Sequence, residues 1–200
     1  SVMGASKRLG ELIVESKSKQ SQTRLACVRF GNVMGSRGSV IPLFKRQIAK
    51  GGPITLTDPG AYRYFMTIPE AVQLVIQVGV LVNRNGGIYV LDMGDPIRIA
   101  NLARDLVELS GLRLDHDIRI ETIGLRPGEK LREQLIEGGE ELLPTEHPRI
   151  FSVSSTNHMQ KDQLEVLLTG LWQAAQENNV EKIYRFLMEF NIGFQESDPS

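Results

Sequence analysis

Apolar positions change period several times along the 200 residues, and the changes mark out alternating helices and strands. Over residues 3–15, Leu9, Leu12 and Ile13 recur at helical spacing, and Met3 and Lys7, four apart, share a face one turn from each other. The run Leu25-Ala-Cys-Val-Arg-Phe30 is short and carries β-branched and aromatic side chains, which predicts a buried strand. A glycine-bearing loop, 31–38, follows. A helix over 39–50 comes next, stopped by Gly51-Gly52-Pro53. Residues 54–57 read as a second strand ending at Asp58-Pro59-Gly60, and 61–66 mix aromatics with a charge.

Thr67 with Glu70 three residues on is a capping box, with Pro69 in the first turn of a helix that runs to about Val82 and is apolar enough to be largely buried. Residues 83–87 end it, and 88–91 predict another strand. Asp95 is the expected N-cap of a helix over 97–109, whose Ile99, Leu102, Ala103, Leu106 and Leu109 form one stripe before Gly111. Residues 117–123 alternate as a strand. Leu125-Arg-Pro-Gly-Glu129 predicts a Pro-Gly turn that opens a short helix. A last strand is expected at 150–153, then two amphipathic helices between about 161 and 190 that meet near Asn178-Asn179, and a frayed tail over 196–200.

Composition narrows the classes of function. A hydrophobic fraction of 41% with 24% charged residues is ordinary for a globular chain, and a net charge of −1 gives no support to nucleic acid or an anionic membrane as partner. The apolar stretch 71–82 carries Gln73 and Gln77 and is too short to span a bilayer. Cys27 is the single cysteine, so no internal disulfide forms, and a reduced thiol in the cytoplasm is the simplest account. His116, His147 and His158 have no metal-ligand spacing, so no metal is expected. Entry almost directly into a helix, with no strand before it, is the pattern of a chain cut from something longer.

The loop after the first strand puts backbone N–H groups at the carboxyl end of a sheet, where open α/β sheets bind ligands. Its glycines run G-x-x-x-G-x-x-G, however, which is not a dinucleotide fingerprint, and Pro42 falls where that motif wants an unbroken helix. A complete dinucleotide unit with Asp58 on the ribose is therefore rejected. On spacing alone, Lys7 remains a solvated helix lysine or a site residue. Arg126 and Glu129 remain parts of a tight turn or a grip on a phosphate and a ribose hydroxyl.

Four segments taken together decide between these readings: Met-Gly-Ala-Ser-Lys-Arg at 3–8, Arg-Phe-Gly-Asn-Val-Met-Gly-Ser-Arg-Gly-Ser-Val at 29–40, Tyr-Arg-Tyr-Phe-Met-Thr-Ile at 62–68, and Leu-Arg-Pro-Gly-Glu-Lys-Leu at 125–131. In this order they resemble the nucleotide-sugar 4,6-dehydratases of the extended short-chain dehydrogenase/reductase superfamily, above all the bacterial UDP-N-acetylglucosamine 4,6-dehydratases of polysaccharide biosynthesis. The resemblance covers about 1–155. It implies an α/β fold: the C-terminal half of a Rossmann-like domain over 1–155 with a small mixed substrate-binding lobe, then a helical extension over 156–200. The cofactor-binding N-terminal half is expected to be missing.

Site residues follow by the same resemblance. Lys7 occupies the lysine of the Tyr-x-x-x-Lys pair and would meet the nicotinamide ribose of NAD(P). Met3 stands at the tyrosine position and cannot transfer a proton, a variant of the large membrane-associated members, which use a Thr-Asp-Lys segment upstream. Phe30, Gly31 and Val33 fall on the nicotinamide side and Asn32 on the sugar nucleotide. Val40, Ile41 and Pro42 lie near the uracil, Arg63 and Arg126 near the diphosphate, with Arg37 a further candidate, and Glu129 on the ribose. The implied reaction withdraws hydride from carbon 4 of the sugar, eliminates water across carbons 5 and 6, and returns the hydride to carbon 6.

Implied partners are a UDP-sugar and further copies of the chain in a homo-oligomer. The implied location is the cytoplasm, either free or as the cytoplasmic domain of an inner-membrane protein anchored by a missing N-terminal region. The 200 residues alone are expected to be inactive. Two rivals remain: a 4-epimerase or reductase of the same superfamily, against which Met3 argues, and a nucleotide-sugar binding module without catalysis.

Overall fold

A computed structural model describes residues 1–36, 38–82, 87–155 and 159–192. Arg37, the end of the third helix's following loop (83–86), His158 and the tail at 193–200 lie outside the described residues, so the expectations placed on them are not taken further. The chain divides into two compact units, one of Ser1–Arg29, Val78–Val90 and Ile136–Ser200, the other of Phe30–Gln77 and Leu91–Leu135.

The first unit holds α1 (Val2–Ser18) and a four-stranded sheet of β1 (Cys27–Arg29), β6 (Ile88–Leu91), β10 (Ile150–Ser155) and β9 (Glu140–Pro144), in that spatial order. β1 runs parallel to β6 with Cys27 opposite Ile88 and Arg29 opposite Val90, and β10 runs antiparallel to β9. The helices α5 (Lys161–Gln176) and α6 (Val180–Glu189) share a core with α1: Ala5 and Leu12 are buried with Leu164, Leu167, Leu187 and Ile192. Asn178 adopts φ 51°, and the Asn179 side chain accepts from the Lys182 amide at 2.9 Å, so the paired asparagines close one helix and cap the next. Gly170 is required where these helices meet, because a Cβ there would overlap the Phe186 ring.

Two arginines and two glutamates tie α1 to this sheet. Arg29 on β1 donates to Glu11 on α1 and, at 2.7 and 3.1 Å, to both carboxylate oxygens of Glu140 on β9, while Arg8 reaches Glu11 at 2.9 Å. The Glu140 side chain is only 3% exposed, so its charge has little water to stabilise it. Burial works against that charge, but hydrogen bonds from Arg29 and the Glu137 amide outweigh it and hold the carboxyl below its ordinary range. For Arg29, burial is likewise overcome by Glu11 and Glu140, which raise it above its usual value. Burial pushes the neighbouring Cys27 thiol up, and the Glu11 charge adds to this.

The second unit is assembled from short pairings around a helical core. β2 (Asn32–Val33) runs parallel to β5 (Phe65–Met66), β3 (Ile54–Leu56) parallel to β8 (Ile120–Thr122), and β4 (Tyr62–Arg63) antiparallel to β7 (Ile97–Arg98). Phe44 and Ile48 of α2 (Val40–Ala49) pack with Ile54, Leu56 and Ile118 and with Ile99, Ala103 and Val107 of α4 (Ile99–Leu109). α3 (Ile68–Leu81) starts in this unit, and its last turn belongs to the first. Its capping box forms as expected: Glu70 accepts from the Thr67 amide at 2.8 Å, and the Thr67 hydroxyl accepts from the Glu70 amide at 3.3 Å.

Several expectations are corrected. α3 is not largely buried: Ala71, Leu74 and Val78 are buried on one face, but Val72, Ile76 and Val80 on the other are 51%, 63% and 70% exposed. α4 begins at Ile99 rather than 97, because Ile97 and Arg98 are extended to pair with β4, and Asp95 is not its cap. Leu109 is not part of the buried stripe but 84% exposed at the helix end, while Ala100 and Val107 are buried instead. The strand expected over 117–123 is limited to 120–122, since Arg113–Ile118 folds into a tight turn with Asp115 at φ 64°. No helix follows the Pro-Gly turn: the Leu131 carbonyl accepts from the Tyr62 amide at 2.8 Å, which draws 129–132 out alongside β4. Pro42 does not interrupt α2, because it falls in the first turn, where its missing N–H has no partner to lose.

Candidate functional site

Lys7 and Met3 belong to the first unit. Both are exposed on α1, and the Lys7 ammonium forms no ion pair with a described residue. The Met3 carbonyl accepts from the Ser6 hydroxyl at 2.8 Å, and its thioether side chain stands in solvent. The other expected site residues all lie in the second unit.

There the structure gathers Asn32, Arg63 and Glu129. Arg63 sits at the end of β4 and donates from Nη1 to the carbonyls of Tyr62 (2.8 Å) and Leu131 (3.1 Å), and from Nη2 to Glu129 Oε1 (3.2 Å). Its Nε faces Glu133 Oε1 at 3.3 Å. Asn32, on β2, donates from Nδ2 to the Tyr64 carbonyl and to both oxygens of Glu133. Glu133 thus joins two expected residues, yet sequence reasoning passed over it. It lies two residues past the motif that drew attention to Arg126 and Glu129, and only the fold shows what it touches.

The turn at 126–129 is held from both sides. The Glu129 amide donates to the Arg126 carbonyl at 2.9 Å, and Gly128, at φ 76°, takes the left-handed position that a Pro-Gly turn requires. Glu129 returns the contact: its Oε2 accepts from the Arg126 amide at 3.3 Å and its Oε1 from the Thr57 hydroxyl at 2.8 Å. The Arg126 side chain is exposed, with its guanidinium free of any described partner. Arg132 lies with its guanidinium carbon 5.0 Å from the centroid of the Tyr62 ring, a second contact that the sequence did not announce.

Phe30 and Val33 flank Gly31 and Asn32. A Cβ on Gly31 would come within 2.9 Å of the Tyr64 Cβ, so the close passage of two backbones accounts for that glycine. Val40 packs on the second unit's core, and Ile41 and Pro42 are half-buried beside it in the first turn of α2. Asp58 accepts from the Gly60 amide at 2.6 Å, a contact that closes the turn after β3. No cluster of three or more His, Cys, Asp or Glu side chains among the described residues could hold a metal ion.

The architecture is that of the Rossmann-like nucleotide-sugar epimerases and dehydratases. The structure superposes on Pen from Bacillus thuringiensis with a TM-score of 0.61 and 33% identity, over 80% of this chain and 54% of that one. The dTDP-glucose 4,6-dehydratase DesIV from Streptomyces venezuelae, solved with NAD bound, shares the fold at a TM-score of 0.54 and 20% identity, over 64% of this chain and 40% of that one. More narrowly, the model of the polysaccharide biosynthesis protein family matches residues 1–155, and the chain belongs to that family. It is 55% identical over 139 residues to the probable polysaccharide biosynthesis protein EpsC of Bacillus subtilis, covering 70% of this chain and 23% of EpsC. It is 47% identical over 171 residues to the capsular polysaccharide biosynthesis protein CapD of Staphylococcus aureus, covering 85% and 28%. A UDP-glucose 4-epimerase of Rickettsia canadensis is 39% identical over 138 residues, covering 68% and 39%. The chain therefore spans about a quarter of the length of EpsC and CapD.

Proposed function

We propose that this chain is the substrate-side portion of a nucleotide-sugar 4,6-dehydratase of surface-polysaccharide biosynthesis, with UDP-N-acetylglucosamine as substrate. The observation that carries the reading is the turn at 126–129: Glu129 anchors the backbone and leaves the Arg126 guanidinium exposed, with no partner among the described residues. A guanidinium so placed presents a fork of N–H donors suited to phosphate oxygens. Glu129 Oε1 is filled by Thr57 and Arg63, whereas Oε2 has a lone pair left for a ribose hydroxyl. Val40, Ile41 and Pro42 offer an apolar surface to the flat base, and Asn32 a polar group to the sugar nucleotide.

NAD(P) fits the residues present on the α1 side, since the exposed Lys7 ammonium has three donors to offer ribose hydroxyls. When bound, a nicotinamide supplies the acceptor and later the donor of the hydride. Lys7 would hold the ribose and place a positive charge beside it. Met3 has no ionisable proton, which favours a dehydratase with its acid and base elsewhere over an epimerase that relies on tyrosine at that position.

Titration calorimetry of the purified chain with UDP tests the binding half of the proposal. UDP is expected to bind, and Arg126→Ala to weaken it about tenfold, about 1.4 kcal/mol. Equal affinity for uridine and UDP, or an indifferent Arg126→Ala, overturns the reading.

A further inference from the structure

Arg63 and Asn32, two of the proposed ligand-binding residues, are not open. Of the five N–H groups of Arg63, the Tyr62 and Leu131 carbonyls take two, Glu129 takes one and Glu133 faces a fourth. Nε and Nη2 lie along one edge of the guanidinium, the edge that grips two oxygens of a phosphate or carboxylate, and the two glutamates close it. One N–H of Asn32 goes to the Tyr64 carbonyl and the other is shared between the oxygens of Glu133.

The two glutamates are not equivalent. Glu129 is seated by Thr57 and by the Arg126 amide as well as by Arg63, so it stays in place whatever Arg63 does. Glu133 touches only Arg63 and Asn32 among the described residues, at 3.2 to 3.3 Å, the long end of the hydrogen-bond range. Its side chain is 34% exposed against 15% for Arg63, so it stands on the water side of the arginine. An anion approaching Arg63 therefore meets Glu133 in the place it would itself occupy.

We infer that Glu133 is an exchangeable carboxylate that holds Arg63 and Asn32 in place of a ligand diphosphate, and that a nucleoside diphosphate binds by displacing it. This rests on the nucleotide reading above. Glu133 keeps the two donors oriented and paired while the site is empty, and its departure frees the Nε/Nη2 edge and one Asn32 N–H together. The cost is affinity, since every binding event must undo these contacts. Neutralising Glu133 while preserving its shape should then strengthen binding of the phosphate part of a ligand alone.

The test is calorimetry on the purified chain with three probes, UDP, inorganic pyrophosphate and uridine, and three proteins, wild type, Glu133→Gln and Arg126→Ala. Glu133→Gln is expected to tighten UDP about tenfold and pyrophosphate by a similar factor, with uridine unchanged; a residue that only shapes the pocket would not separate the probes in this way. If wild type binds UDP and Arg126→Ala weakens it, but Glu133→Gln leaves UDP unchanged or weaker, the exchange is wrong and the nucleotide reading stands. If none of the three proteins binds UDP, both fall. Thermal melting by circular dichroism checks that Glu133→Gln folds. Should it not, Glu133→Asp, which cannot span both partners, is expected to tighten UDP by a smaller factor, and an unchanged or weaker affinity there overturns the inference.

Discussion

Arg29 in the first unit and Arg63 in the second each lie between two glutamates, Glu11 and Glu140 for the one, Glu129 and Glu133 for the other. The contacts differ in who else holds the carboxylates. Glu11 is also gripped by Arg8, and Glu140 by the Glu137 amide, so every member of that cluster has a second anchor and almost no water. Around Arg63, Glu129 has two anchors besides the arginine, whereas Glu133 has only the Asn32 amide group and is the more exposed of the two, 34% against 22%. Ion pairs alone do not tell a strut from a site; the anchoring of each partner does.

The largest expected effect separates the two directly. Glu140→Ala leaves Arg29 partly buried with half its partners gone and should cost about 3 kcal/mol of unfolding free energy in urea. Glu133→Ala, at a wetter pair, should change stability by less than about 1 kcal/mol. Equal losses would break the comparison. The same contrast has a pH form. Because the Glu140 carboxyl titrates below its unfolded value of 4.5, its contribution is fully present above that pH and is lost as acid carries the solution down through the folded value. Glu140→Gln should flatten the acid side of the stability profile, read as urea midpoints against pH.

Packing probes the first unit without touching charge. Gly170→Ala drives a methyl into the Phe186 ring and should cost about 2 kcal/mol, read as a lower urea midpoint, with UDP affinity unchanged. The smallest effect belongs to the capping box. Thr67→Ala should remove about 1 kcal/mol, measured in the same way.

What the sequence made legible was local. The Thr67–Glu70 box, the paired asparagines at 178–179 and Gly111 after α4 each act within a few residues, and each was read correctly. The two-residue strands were not legible, because Tyr62–Arg63 and Ile97–Arg98 are strands only by virtue of each other. The helix expected after Gly128 failed for the same reason, its backbone being taken up by Tyr62. At the site, resemblance singled out Arg63, Arg126 and Glu129, but a motif names positions and not their partners. Thr57, Arg132 and Glu133 therefore entered only with the fold.

The engaged guanidinium of Arg63 also bears on proteolysis. Trypsin must draw an arginine side chain into its own pocket before it cuts, and Arg63 has to surrender hydrogen bonds to two carbonyls and contacts to two carboxylates to enter. No lysine or arginine lies between 64 and 83, so cleavage after Arg63 and Arg84 releases α3 in one piece. The rate at which that peptide appears is a clock for the opening of Arg63.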